Sequence, residues 1–111
     1  MSSNQDFVDF IVEQIEDAGV ITYRKMFGEY GLYCDGKIVA LVCNDQLFIK
    51  PTEGGRSFIG DVVEAPPYPG AKMYFLIEAQ LEDRDWLSNL IRTMVPELPE
   101  PRPKKRKKTG K

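Results

Sequence analysis

Residues 30–50 read YGLYCDGKIVALVCNDQLFIK, and this stretch decides the fold. Runs of β-branched, aromatic and aliphatic residues are separated by Asp35-Gly36 and Asn44-Asp45, two dipeptides that favour tight hairpin turns. The pattern predicts a three-stranded antiparallel meander. Its predicted strands are 20–33, 37–43 and 46–50.

The register that both turns impose sorts the strand residues into two faces, and both faces are apolar. One face holds Gly31, Tyr33, Ile38, Ala40, Val42, Leu47 and Ile49; the other holds Tyr30, Leu32, Val39, Leu41, Cys43 and Phe48. An antiparallel sheet with one solvated face normally alternates apolar and polar residues. Each face should therefore be covered by a helix, a loop or a second subunit. Two alternatives stay open: helices on opposite sides of the sheet, or a homodimer.

The two cysteines are expected to be packed, unreactive thiols in a reducing compartment. In the predicted register Cys34 lies opposite Lys37 and Cys43 lies opposite Gly28, so the thiols are on the order of 20 Å apart. A disulfide needs Cα atoms within about 7 Å. The chain also has no histidine, so a tetrahedral zinc site lacks ligands and no cofactor is expected.

Helical patterns flank the meander. Ser3 or Asn4 can cap a first helix, which Gly19 ends. Its apolar stripe consists of Phe7, Phe10, Ile11, Ile15 and Ala18. Downstream, the patterns predict a break at Gly54-Gly55, a short helix at 56–63 or a loop, a fourth strand at 72–78, and a final helix between Asp83 and Pro96. The fold class is therefore α+β: N-terminal helix, three-stranded meander, short helix or loop, fourth strand and C-terminal helix in two layers.

Charge divides the chain into two unlike parts. Residues 1–100 contain 8 basic and 17 acidic groups, a net charge of −9, whereas residues 101–111 carry +7. We expect a folded domain at 1–96 and a proline-linked, basic, disordered tail at 97–111. The tail residues that could neutralise phosphates are Arg102, Lys104, Lys105, Arg106, Lys107 and Lys108. Nucleic-acid binding competes here with a solubilising arm or one that folds back on the acidic body.

The most distinctive stretch is RKMFGEYGLYCDGK at residues 24–37. Gly28 and Gly31 within a β-rich run indicate a bulge or a bend. Arg24 lies beside the aromatic residues Tyr23 and Phe27, where its guanidinium could bind an anion or pair with a carboxylate of the same domain.

This stretch resembles the signature of the TfoX (Sxy) family of bacterial competence regulators, specifically the N-terminal domain, and the resemblance extends over about residues 7–95. The matching positions are Arg24, Met26, Phe27, Gly28, Gly31, Tyr33, Gly36 and Lys50. The resemblance implies a secretion-chaperone-like α+β fold and a role in regulating DNA-uptake genes. Glu29 departs from the glycine common in the family, and the second, helical domain of the full-length regulators is not expected here.

The sequence bears on three classes of function. Catalysis is disfavoured because the chain has no histidine, nucleophile elbow, P-loop or dinucleotide fingerprint. A regulatory interaction domain, with itself or another protein as partner, is favoured over a nucleic-acid-binding accessory protein that acts through its tail. No apolar run approaches the roughly 20 residues of a membrane span, and the N-terminus lacks the features of a secretory signal, so a cytoplasmic protein without membrane contact is expected.

Overall fold

The computed structural model describes residues 5–26 and 29–98, and these ranges contain three α-helices and six β-strands. The helices are α1 (Gln5–Ile15), α2 (Glu53–Ile59) and α3 (Arg84–Met94); the strands are β1 (Ile21–Met26), β2 (Glu29–Cys34), β3 (Lys37–Cys43), β4 (Gln46–Ile49), β5 (Glu64–Ala65) and β6 (Tyr74–Ile77). Short 3-10 turns at Glu16–Ala18 and Val95–Glu97 follow α1 and α3. The predicted α+β fold, with a helix at each end and an antiparallel sheet between, is confirmed. None of these helices is long and apolar enough to cross a membrane.

One antiparallel sheet contains all six strands, in the order β1-β2-β3-β4-β6-β5. Both predicted turns are confirmed. The φ angles are +52° at Asp35 and +86° at Gly36, and +53° at Asn44 and +58° at Asp45. Two successive residues with positive φ form the turn whose twist matches that of the flanking strands, which is why these dipeptides join β2 to β3 and β3 to β4.

The run predicted as one strand at 20–33 is a hairpin of its own, so the meander has four strands rather than three. Met26 pairs with Glu29 and Arg24 pairs with Gly31. The chain therefore reverses direction between Met26 and Glu29 instead of continuing as one bent strand, and the facing backbone groups of the two short strands pair with each other. Positions 27 and 28, between the two strands, lie outside the described residues.

A β-bulge in β3 changes the register. Tyr33 pairs with Ile38, but Leu32 pairs with Ala40, which leaves Val39 as the extra residue on β3. A bulge turns the side chains of neighbouring residues toward the same side. Val39 and Ala40 are accordingly both fully buried.

The bulge makes the register predicted from the two turns wrong by one residue beyond Val39. Tyr30 pairs with Val42 instead of Leu41. The predicted faces consequently combined β2 with the wrong side of β3. The predicted partner of Cys43, Gly28, lies outside the described residues.

All three helices cover the same face of the sheet. α3 contacts both α1 and α2. The buried residues of α1 and α3 form one hydrophobic cluster with the sheet residues Tyr30, Leu32, Ala40, Val42, Leu47, Ile49, Phe75 and Ile77. The alternative in which the first and last helices cover opposite faces is therefore wrong: burying α3 against α1 builds one core rather than two.

The helix that follows β4 begins earlier than predicted and includes both glycines. The Thr52 side chain accepts a hydrogen bond from the Gly55 N–H at 2.9 Å. The Glu97 carboxylate accepts the N–H groups of Glu53 at 3.1 Å and Gly54 at 2.8 Å. These acceptors satisfy the first N–H groups of α2, so the helix begins at Glu53 despite the low helix propensity of glycine.

Candidate interaction surface

The face of the sheet opposite the helices carries a row of side chains across five strands. Arg24 on β1 lies opposite Gly31, Gly31 opposite Leu41, Leu41 opposite Phe48, and Phe48 opposite Leu76 on β6. Residues directly opposite each other in antiparallel strands share a face. The row therefore begins with a cation at the sheet edge and continues through a glycine into three large apolar side chains.

We call this surface the open face and define it by Thr22, Arg24, Gly31, Tyr33, Ile38, Leu41, Cys43, Phe48, Tyr74 and Leu76. None of these residues belongs to the hydrophobic cluster beneath the helices. Tyr33, Ile38, Leu41 and Leu76 are only partly buried. No described helix covers the open face, and these four residues remain partly accessible to solvent.

The loop between β5 and β6 covers one end of the open face. Pro67 in this loop is buried, and the side chains of Cys43 and Phe48 beneath that end are 2% and 3% exposed. Between the loop and the sheet lies a groove of about 420 Å³, lined by Glu29, Asn44, Gln46, Phe48, Pro66, Pro67, Tyr68 and Pro69. The loop thus closes the Cys43 end and leaves the middle of the face open.

The lining of the groove contains few ionisable side chains. Its lining contains one carboxylate, Glu29, which accepts the Asn44 N–H at 3.3 Å, and one phenol, Tyr68. General acid–base catalysis usually depends on a group titrating near neutral pH, held close to a second one. The described residues also contain no cluster of three or more side chains that could hold a metal ion.

Burial keeps the thiols and one tyrosine of the domain protonated at neutral pH. Desolvation raises the pKa of Cys43 to about 11, with a smaller contribution from Glu29. Desolvation also raises the pKa of Cys34, with Asp35 adding to the effect, and the pKa of Tyr74. Both thiols are free and buried. Since the thiolate is the reactive form, neither cysteine has the environment of a nucleophile.

The basic side chains of the described residues fall into two groups, one paired with acceptors and one without such a pairing. The paired ones are Lys37 with the Val95 carbonyl, Arg56 with Glu64, Arg84 with Glu16, and Arg92 with the Asp17 carbonyl. Within the described part of the chain, the side chains of Arg24, Lys25, Lys50 and Lys72 make no hydrogen bond or ion pair. The intramolecular ion pair considered for Arg24 is thus missing among the described residues.

The structure brings several of the signature positions together. Arg24, Gly31 and Tyr33 lie on the open face, and Lys50 follows β4 directly, on the side of Phe48 by strand alternation. Gly36 lies in the β2–β3 turn, and Met26 is the last residue of β1. Phe27, Gly28 and the basic tail residues Arg102, Lys104, Lys105, Arg106, Lys107 and Lys108 lie outside the described residues.

Sequence reasoning missed the central residues of this surface. Leu41, Phe48 and Leu76 become neighbours only through the pairing of β3, β4 and β6. The available signal was that both faces of the predicted sheet are apolar, although only one needed a helical layer. The covering loop at Pro66-Pro67 carried a turn signal but no indication of where it packs.

The sequence profile of the TfoX N-terminal domain family matches residues 13–96. A similar relative is an uncharacterized 12.7 kDa protein in the trpE 5′ region of Spirochaeta aurantia. It is 35% identical over 107 residues, which cover 96% of this chain and 93% of the relative.

Proposed function

Because the chain belongs to the TfoX N-terminal domain family, we propose that it is a non-catalytic regulatory domain that binds an acidic protein partner on its open face. The regulated process is the expression of DNA-uptake genes, as the family implies.

The observation that carries the proposal is the one-sided arrangement of the helices. Three helices cover one face of the sheet, while Leu41, Tyr33 and Ile38 remain partly exposed on the other. Apolar side chains exposed together on a small domain are typical of protein-binding surfaces. The signature residues Arg24, Gly31 and Tyr33 lie on the same surface, which relates the family pattern to binding rather than to the core.

Charge indicates the character of the partner. Arg24 at one edge of the row and Lys50 near its middle have no acceptor within the described residues, although the first 100 residues contain 17 carboxylates. An interface with two unpaired cations favours a partner with complementary carboxylates and disfavours a basic one.

The test is complementation of a deletion strain of the source organism, with transcripts of DNA-uptake genes as the measurement. We expect the wild-type chain to restore the transcript level and Leu41→Glu to fail, because a carboxylate at the centre of the open face opposes an acidic partner. Val20→Glu is the matched control, since Val20 is 70% exposed and precedes β1.

Thermal unfolding of both purified variants must first show that they fold as the wild type does. Restoration by Leu41→Glu as complete as that by Val20→Glu would contradict the proposed surface. Light scattering measures the oligomeric state of the wild type and of Leu41→Glu. If the wild type is a dimer and Leu41→Glu is a monomer, the partner is a second copy of the chain.

A second candidate function rests on the charge of +7 in residues 101–111. As a nucleic-acid-binding protein, the full chain should bind fluorescent duplex DNA with a salt slope of about −0.9 per phosphate neutralised. A chain ending at Glu100 should not bind, because its net charge of −9 repels phosphate. Equal absence of binding by both chains would exclude this candidate.

A further inference from the structure

We propose that the outer edge of β1 accepts an extended acidic segment of the partner protein as a seventh strand of the sheet. This inference deepens the proposed interaction role and rests on it. It specifies where the partner backbone binds and which side chains it needs.

The two edges of the sheet differ in their ability to accept a strand. β1 has six residues without proline, and Thr22–Lys25 are exposed. β5 at the opposite edge has two residues, and Pro66-Pro67 follows directly. Every second residue of an edge strand directs its N–H and C=O outward, and a length of six residues allows several such hydrogen bonds. Among the described elements, only β2 pairs with β1.

Two consecutive residues of this edge strand are unpaired cations. Arg24 projects on the open face, and the adjacent Lys25 projects on the other face, because side chains alternate along a strand. Neither has a polar partner within the described residues. A strand added beside β1 places two consecutive side chains next to Arg24 and Lys25. Consecutive carboxylates are therefore the chemistry that this edge selects.

A second copy of the chain fits the same edge poorly. A two-fold antiparallel pairing of β1 with β1 must place residues of the same face opposite each other. Centred on Arg24, it sets the two Arg24 side chains directly opposite; centred on Tyr23, it sets them diagonally within roughly 8 Å. β1 contains no carboxylate that would offset this repulsion. Cations on an edge also deter uncontrolled pairing, and the same charge makes the edge selective for an acidic strand.

The experiment measures fluorescence anisotropy of a labelled peptide, Thr-Val-Glu-Asp-Val-Thr, titrated with the full chain. Matched peptides carry Gln-Asn or Lys-Lys in place of Glu-Asp. We expect the Glu-Asp peptide to bind best, and the double variant Arg24→Gln, Lys25→Gln to weaken its binding about tenfold, as expected for losing two exposed charge pairs. Lys72→Gln is the control, because Lys72 is an exposed, unpaired cation that precedes β6 at the other end of the sheet.

Two further readouts separate strand addition from diffuse attraction. Hydrogen exchange should slow at backbone amides of residues 21–26 when the Glu-Asp peptide binds, and N-methylation of alternate peptide amides should remove both the protection and the binding. The charge-reversed variant Arg24→Glu, Lys25→Glu should prefer the Lys-Lys peptide, which a misfolded variant would not do.

Any one of three results would overturn the inference. The Glu-Asp and Gln-Asn peptides could bind equally well, or Lys72→Gln could weaken binding as much as the double variant does. The third result is binding without protection of residues 21–26. If the peptide fails while Leu41→Glu still abolishes complementation, the edge assignment is wrong and the open face remains. If Leu41→Glu complements fully, the proposed function itself fails.

Discussion

At the scale of single residues, Cys43 couples the stability of the fold to pH. Burial raises its pKa from 9.0 to about 11, so the folded chain retains a proton that the unfolded chain releases. A group with a raised folded pKa stabilises the fold fully below its unfolded pKa and loses that effect as the pH rises through the folded value. The stabilisation should therefore be complete below about pH 9 and decline toward about pH 11.

We predict that between pH 8 and pH 10.5 the wild type loses about 1–2 kcal/mol more unfolding free energy than Cys43→Ala. The alanine variant is less stable at pH 8 because it lacks buried atoms, but it has no thiol to titrate. Urea unfolding at both pH values, under a reductant, measures the difference. All other ionisable groups are the same in both proteins, so parallel pH dependences would show that the Cys43 thiol is not coupled to folding.

Structural features that depend only on neighbouring residues could be predicted from the sequence. Asp35-Gly36 and Asn44-Asp45 were predicted as turns because the required positive φ angles depend on those residues alone. The role of Glu97 could not be predicted from the sequence, because its carboxylate accepts a hydrogen bond from the N–H of Gly54, 43 residues earlier in the chain.

At the scale of elements, the beginning of α2 depends on that distant contact. A Cβ added at Gly54 would overlap the Glu97 carboxylate. Gly54 is therefore needed for the approach of Glu97, not for a special backbone conformation. The β-bulge at Val39 is a second feature that depends on contacts between distant parts of the chain. Every residue of the β3 run is compatible with a regular strand, and the extra residue is explained only by burial of Val39 and Ala40 beneath the helices.

A double-mutant cycle between positions 54 and 97 tests the contact. Gly54→Ala in the wild type should cost about 1–2 kcal/mol of unfolding free energy, because it displaces a carboxylate that accepts two backbone N–H groups. In the Glu97→Ala background the same change should stabilise by about 0.5–1 kcal/mol, the usual preference of a helix for alanine over glycine. Denaturant unfolding of the four proteins gives the values, and the same sign in both backgrounds would refute the contact.

At the scale of the whole molecule, amphipathic patterns indicated which residues of each helix are buried but not which face of the sheet they cover. Of the predicted stripe of α1, Ile11 and Ile15 are buried and the other members are partly buried, whereas the buried Val8 was not predicted. That α3 lies against α1 depends on long-range packing, including the Ser88 hydroxyl donating to the Gln14 carbonyl at 2.9 Å. The position of the open face follows from this packing. The sequence therefore predicted an apolar face shared with a second copy of the chain only as one of two alternatives, and it did not predict an uncovered face.

The last packed contact of the described chain gives a test of where the folded body ends. Leu98, two residues beyond the predicted domain boundary at residue 96, is 6% exposed and belongs to the hydrophobic cluster beneath the helices. Leu98→Ala should lower the unfolding free energy by about 2 kcal/mol, because it leaves a cavity in this cluster. A chain ending at Leu98 should be as stable as the full chain if the basic segment does not bind the folded body, and a chain ending at Glu97 should resemble Leu98→Ala. Thermal and denaturant unfolding of the four proteins make the comparison at low and high salt.

A loss of stability on removing residues 99–111, greatest at low salt, would show instead that the basic segment binds the acidic body. This result would favour an intramolecular arm over an arm that binds nucleic acid.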